Sequence, residues 1–105
     1  MRINLKNMCK KRTVTRKDGE QIKKLISESW DREKKIVIDF NNISIASVSF
    51  FDEAFGKLAF VYPKENLREK LSFNNIEEYD RALLNDILIS RYHQKELNKK
   101  GLLKS

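Results

Sequence analysis

Residues 36–62 constrain the fold more than any other stretch of this chain. Ile36-Val37-Ile38-Asp39-Phe40 is short, β-branched and apolar on both parities, the pattern of a strand buried on both faces in the middle of a sheet. Asn41-Asn42 supplies turn chemistry, because asparagine tolerates left-handed backbone angles and bonds its own backbone. Ser49-Phe50-Phe51-Asp52 has the form of a capping box, with Ser49 as N-cap and a carboxylate three residues on. The spacing predicts a helix from about Phe50 to Tyr62. It ends before Pro63, since the residue preceding a proline is held out of helical angles.

The flanking segments extend this alternation. Arg2-Ile3-Asn4-Leu5 alternates polar and apolar as an edge strand does, Asn7 to Lys11 is a polar turn, and Arg12-Thr13-Val14 is the expected returning strand. Thr15-Arg16-Lys17-Asp18 is a second capping box. Behind it Ile22, Leu25, Ile26 and Trp30 share one helical arc with Gly19 and Ser29, so residues 16–30 read as an amphipathic helix on a sheet. Pro63 to Arg68 reads as a polar connection, and Leu71 and Phe73 as parts of a short strand. Asn75 is a third N-cap signal, with Glu77 and Glu78 where the helix dipole favours acids. Ile76, Tyr79, Leu83, Leu84, Ile87 and Leu88 give a broad apolar face on a helix that runs to about Lys99, with Gly101 as its stop. The expected fold class is α/β, a mixed sheet of about four strands, parallel in its middle, with about three helices packed against it. It forms a single domain over 1–105, with its core at about 12–92 and a helix end and tail at 93–105.

A chain of 105 residues with 40% apolar content supports one modest core. No apolar run approaches the ~18 residues of a membrane span. MRINLKNMCKKR lacks the apolar region of a secretory signal, and one cysteine permits no internal disulfide. A cytoplasmic location without membrane contact is therefore expected. Cys9 and His93 are the only soft ligands and neither has a companion at ligand spacing, so no metal is expected. No Gly-rich phosphate loop is present, and no cofactor or catalytic residue is expected. Asp39, inside an apolar strand, is expected to accept backbone N–H groups of the following loop.

On a helical wheel of residues 50–62, Phe50, Phe51, Ala54, Phe55, Leu58 and Ala59 lie with Val61 and Tyr62 on a core half. The other half carries Asp52, Glu53, Gly56, Lys57 and Phe60, with Ser49 at its start. Phe60 is its one large apolar group, and Gly56, one turn earlier, lets another backbone approach. A small-residue site beside an aromatic, flanked by acids, suits a protein partner. The alternative is that the last helix or the 63–68 connection covers Phe60, and Gly56 serves internal packing. Ser49 reads as a cap, a phosphoacceptor or part of an anion site, with Ser47 second in line for the same roles.

The segments VTRKDGEQIKKLI, IVIDFNNISIASVSFFDEAFGKL and YPKENLREKLSFNN together resemble the bacterial STAS-like family, related to the STAS domains of anti-sigma-factor antagonists. The likeness covers roughly residues 12–92 and is most specific from Ile38 through Glu53. In the antagonists an Asp-Ser-Ser-Gly segment follows the equivalent strand, and its second Ser is phosphorylated by a partner kinase. Those positions fall here on Ser47, Val48, Ser49 and Phe50, so only the phosphoacceptor, Ser49, matches. The resemblance implies a non-enzymatic regulatory module that binds a protein partner, with a kinase-like ATPase as the implied class. The expected partner-binding residues in the loop and helix at 47–60 are Ser47, Ser49, Asp52, Glu53, Gly56 and Phe60.

Charge supports a second reading. The chain carries a formal net charge of +7, and residues 1–35 hold twelve Lys/Arg against five Asp/Glu. Lys10, Lys11, Arg12, Arg16 and Lys17 lead a set that suits nucleic-acid phosphates. The run has no interleaved aromatics for base stacking.

Overall fold

The computed structural model describes residues 1–9 and 14–99. Strands β1 (Arg2–Asn4), β2 (Ile36–Asp39) and β3 (Leu71–Asn74) form one sheet in that order, and both pairings are parallel. The expectation of a mixed sheet with about four strands is corrected. Among the described residues there are three strands, all parallel. Parallel neighbours need a crossover of a dozen or more residues, and helices fill both crossovers here. Arg12 and Thr13 of the expected returning strand lie outside the described residues, and Val14 is a buried core residue outside any strand.

The helical elements exceed the expected three. They are α1 (Leu5–Met8), α2 (Arg16–Ser29), α3 (Val48–Phe51), a π-helical turn (Asp52–Gly56), α4 (Leu58–Val61), α5 (Lys64–Lys70) and α6 (Glu78–Lys99). The start of α2 forms as its sequence predicts. The Thr15 hydroxyl accepts the Asp18 N–H, and the Asp18 carboxylate accepts the Thr15 N–H at 2.8 Å. Helix α5 was not legible, since it buries only Leu67 and so lacks an apolar period. Pro63 serves as its N-cap, its fixed φ suiting a helix start. Asn75 is not a cap. It takes φ 58° between β3 and α6, the left-handed region that asparagine tolerates, and α6 begins at Glu78.

The strand register sorts the sheet into two unlike faces. Ile3, Ile38 and Phe73 lie side by side, and Ile36 lies beside Leu71 on the same face. The intervening rows, Arg2–Val37–Ser72 and Asn4–Asp39–Asn74, point the other way and are largely polar. β2 is thus buried in apolar core on one face rather than both, which is how an aspartate fits in it. The core face carries an aromatic cluster in which the Phe55 and Phe73 rings meet edge to face, centroids 5.1 Å apart. Phe40, Phe50 and Phe51 complete it. Helix α6 packs on α3, the π turn and α4. Among the described residues no helix is long and apolar enough to cross a membrane.

Candidate functional site

The loop joining β2 to α3 lies at the carboxyl end of the sheet and is fixed by two acids. Asp39, 6% exposed, accepts the Asn41 N–H at 3.0 Å, the Asn75 side-chain amide at 2.9 Å and an Arg2 guanidinium N–H at 3.1 Å. The Asn75 and Asn41 bonds, followed by Arg2, hold its carboxyl below the usual range. Its expected role as acceptor for the loop is thus the one it performs. Further along, the Ile45 and Ala46 N–H groups donate to the two oxygens of Asp80 at 2.7 and 2.8 Å. Asp80 comes from the start of α6 and is 1% exposed. Ala46 has φ 47°, a conformation that costs a non-glycine residue about 1–3 kcal/mol and persists where its surroundings enforce it. The Asp80 clamp supplies that enforcement. Ser44 adds a third tie by donating to Glu77, the residue just before α6, at 2.5 Å.

The loop delivers Ser47, not Ser49, as the helix cap. The Ser47 hydroxyl accepts the Phe50 N–H at 3.2 Å, and Ser49 lies exposed within the first turn. The Ser49–Asp52 capping box is therefore not formed. Beside Ser49, Val48 is 58% exposed.

The π turn then changes which side chains face inward. Lys57 N–H bonds Asp52 C=O at 2.9 Å, five residues back, so each residue turns less about the axis than a regular helix assumes. Glu53 and Gly56, which a regular wheel places on the polar side, are both buried. Glu53 is 1% exposed and receives three cations: Lys57 at 2.9 Å, Arg16 at 3.1 Å and Lys23 at 3.3 Å. Lys57 foremost, with Arg16 and Lys23, outweighs burial and pulls its carboxyl down to about 2. A β-carbon on Gly56 would lie 3.0 Å from Ile87 of α6, so that glycine serves internal packing. Asp52 forms a two-pronged pair with Arg91 of α6: Nε donates to Oδ1 at 2.6 Å and Nη2 donates to Oδ2. The same guanidinium stacks over Phe60, 5.1 Å from its ring centroid. Phe60, 36% exposed, is thus partly covered by the last helix, while Val61, assigned to the core by the wheel, is 67% exposed.

A profile of the STAS-like domain of unknown function (DUF4325) matches residues 18–81. The chain belongs to this STAS-like family. Comparison with curated proteins and with solved structures returns no significant match. The STAS-like match includes Asp39, Glu53 and Asp80 but stops short of Arg91. Of the six expected partner-binding residues, the STAS-like fold leaves Ser49 exposed, Ser47 and Asp52 half-buried and Phe60 at the rim, and takes Glu53 and Gly56 inside. Asp80 and Arg91 were missed. Asp80 lies four residues before buried Leu84, an acid on a buried helical phase, and that was the available signal. Arg91 gives no such signal, because its partner Asp52 is 39 residues away in sequence. Of the basic set, Arg16 is engaged by Glu53, Lys17 is exposed, and Lys10, Lys11 and Arg12 lie outside the described residues.

Proposed function

We propose that this STAS-like domain is a non-enzymatic regulatory module that docks a protein partner through loop residues 44–47 and the exposed first turn of α3. The observation that carries this reading is Val48, a large apolar side chain 58% exposed on a backbone pinned by Asp39 and Asp80. A rigidly presented apolar group loses little entropy on binding and can anchor an interface. Ser49 stands beside it, free of the capping bond that Ser47 makes. Family resemblance supports a kinase-like ATPase as the partner and Ser49 as its phosphoacceptor. A phosphate there brings roughly −1.5 to −2 charges to an interface that Val48 would otherwise make apolar, and so releases the partner.

The test is a photo-crosslinking residue at position 48 in the native cell, followed by identification of the adduct. The expected product is an ATP-binding protein, with the adduct lost in Ser49→Asp and kept in Ser49→Ala. An adduct unaffected by Ser49→Asp counts against the switch. An adduct with nucleic acid, or one that forms only with the probe at Lys17, favours the basic surface instead.

A further inference from the structure

We propose that the groove between α5, β3 and the second half of α6 binds a single-chain anionic amphiphile, an alkyl carboxylate. Its tail enters the groove and its head meets Lys64 and Arg68. This site shares no residue with the proposed docking surface. The groove encloses about 550 Å³, within the usual range for small-molecule sites. It exists because α6 rests on α3, the π turn and α4, while β3 is the outermost strand of the sheet on that side. The floor is Phe55, Leu67, Leu71 and Phe73, and the α6 wall is Leu88, Ile89 and Tyr92.

Depth and charge decide the occupant. Phe55, Leu67 and Leu71, 1%, 5% and 8% exposed, make an apolar floor that water scarcely reaches. A partner helix with its side chains is about 10–12 Å across and needs a broad trough, whereas an alkyl chain enters a slot. Asn85, Leu88, Ile89 and Tyr92 follow one face of α6, and that wall is about 10 Å long at the rise of a helix. No carboxylate lines the groove, and its two lining cations, Lys64 and Arg68, form no ion pair among the described residues. Glu65 and Glu69, the acids next to Lys64 and Arg68 in sequence, are both exposed and outside the lining. The Lys64 ammonium sits 5.9 Å from the Tyr92 ring centroid, holding positive charge over the α6 wall. Burial foremost, with the Glu65 carboxylate, pushes the Tyr92 phenol up, and a phenol in its ordinary protonated form is an O–H donor for a carboxylate.

The test titrates the full chain with decanoate, decanol and decyltrimethylammonium below their micelle thresholds, read by backbone amide NMR. Decanoate is expected to give saturable shifts confined to residues 64–73 and 85–92, with decanol weaker and the ammonium weaker still. Lys64→Gln with Arg68→Gln should weaken decanoate by about fivefold or more, the scale of one or two partly exposed charged contacts, and leave decanol unchanged. Ile89→Trp, at a rim position 65% exposed, should narrow the mouth and weaken both. Absence of saturable binding, shifts elsewhere, or equal affinity for all three heads overturns the proposal. So does tight binding of an acidic amphipathic helical peptide at these residues in place of decanoate. The three-ligand comparison needs no substitution, so a variant that fails to fold leaves the test standing.

Discussion

The hydroxyl of Ser47 takes the Phe50 N–H, and that of Ser49, two positions on, stays exposed. Ser47→Ala should therefore cost about 1 kcal/mol, the usual value of an N-cap. Ser49→Ala should stay within about 0.5 kcal/mol of the unmodified protein, as exposed substitutions do. Urea denaturation of the two variants decides the assignment, and the reverse order would return the cap to Ser49. Asp80 is a larger matter. Its two oxygens satisfy the N–H groups of Ile45 and Ala46, and each buried donor left without a partner costs about 1–3 kcal/mol. Asp80→Ala should lower stability by roughly 2–4 kcal/mol on that basis, and amide exchange at Ile45 and Ala46 should accelerate more than exchange in β2. Unchanged protection of those two amides would mean that the loop holds its shape without the clamp.

The central helix shows what a regular period can and cannot reveal. Its apolar side chains announced a helix over about 50–62, and a helical run does occupy that stretch. The wheel places Ala54, Phe55, Leu58 and Ala59 inward as observed but misplaces Glu53, Gly56 and Val61, because a π turn rotates each residue less about the axis than a regular helix assumes, and nothing local in Asp52-Glu53-Ala54-Phe55-Gly56 signals one. Glu53 can turn inward because, besides Lys57 on its own helical run, Arg16 and Lys23 from α2 meet it there, partners 37 and 30 residues away in sequence. Close approach of these two elements rests on Gly19 of α2. A β-carbon at that position would stand 2.8 Å from the Phe50 carbonyl oxygen and 3.2 Å from the Ala54 nitrogen. Gly to Ala inside a helix ordinarily gains about 1 kcal/mol. Gly19→Ala should instead lose about 1–3 kcal/mol, as overpacking does when backbone must move. A gain in the denaturation midpoint would show that α2 and the π turn stand further apart.

At the scale of the molecule, the order of strands and main helices could be read from capping residues and apolar periods. The number of strands and the one-sidedness of the sheet could not. Apolar residues on both parities of β2 suggested two covered faces, yet the second face is closed over Asp39 by Arg2 and Asn75, a polar arrangement that composition does not reveal. Acid stability joins these distant pieces. The Glu53 carboxyl lies at about 2 in the folded chain against 4.5 ordinarily, so between those values the unfolded chain binds more protons and stability rises with pH. Its contribution is fully present above about 4.5 and is lost as pH falls through about 2. Glu53→Gln should be less stable than the parent at pH 7, with the gap closing towards pH 2. Asp39 shifts in the same direction, so the variant keeps part of the acid limb, and urea midpoints measured across this range would reveal both. A parallel offset at every pH would contradict the role given to the Glu53 charge. The clamp on the β2–α3 loop also carries a consequence for biosynthesis. Ile45 and Ala46 wait for Asp80, 35 and 34 residues downstream, and Asp39 waits for Asn75, 36 residues on. A nascent chain that has delivered the loop from the ribosome, but not yet the start of α6, cannot present Val48 in its final pose. The exposed surface around Val48 is therefore completed only after the start of α6 has emerged.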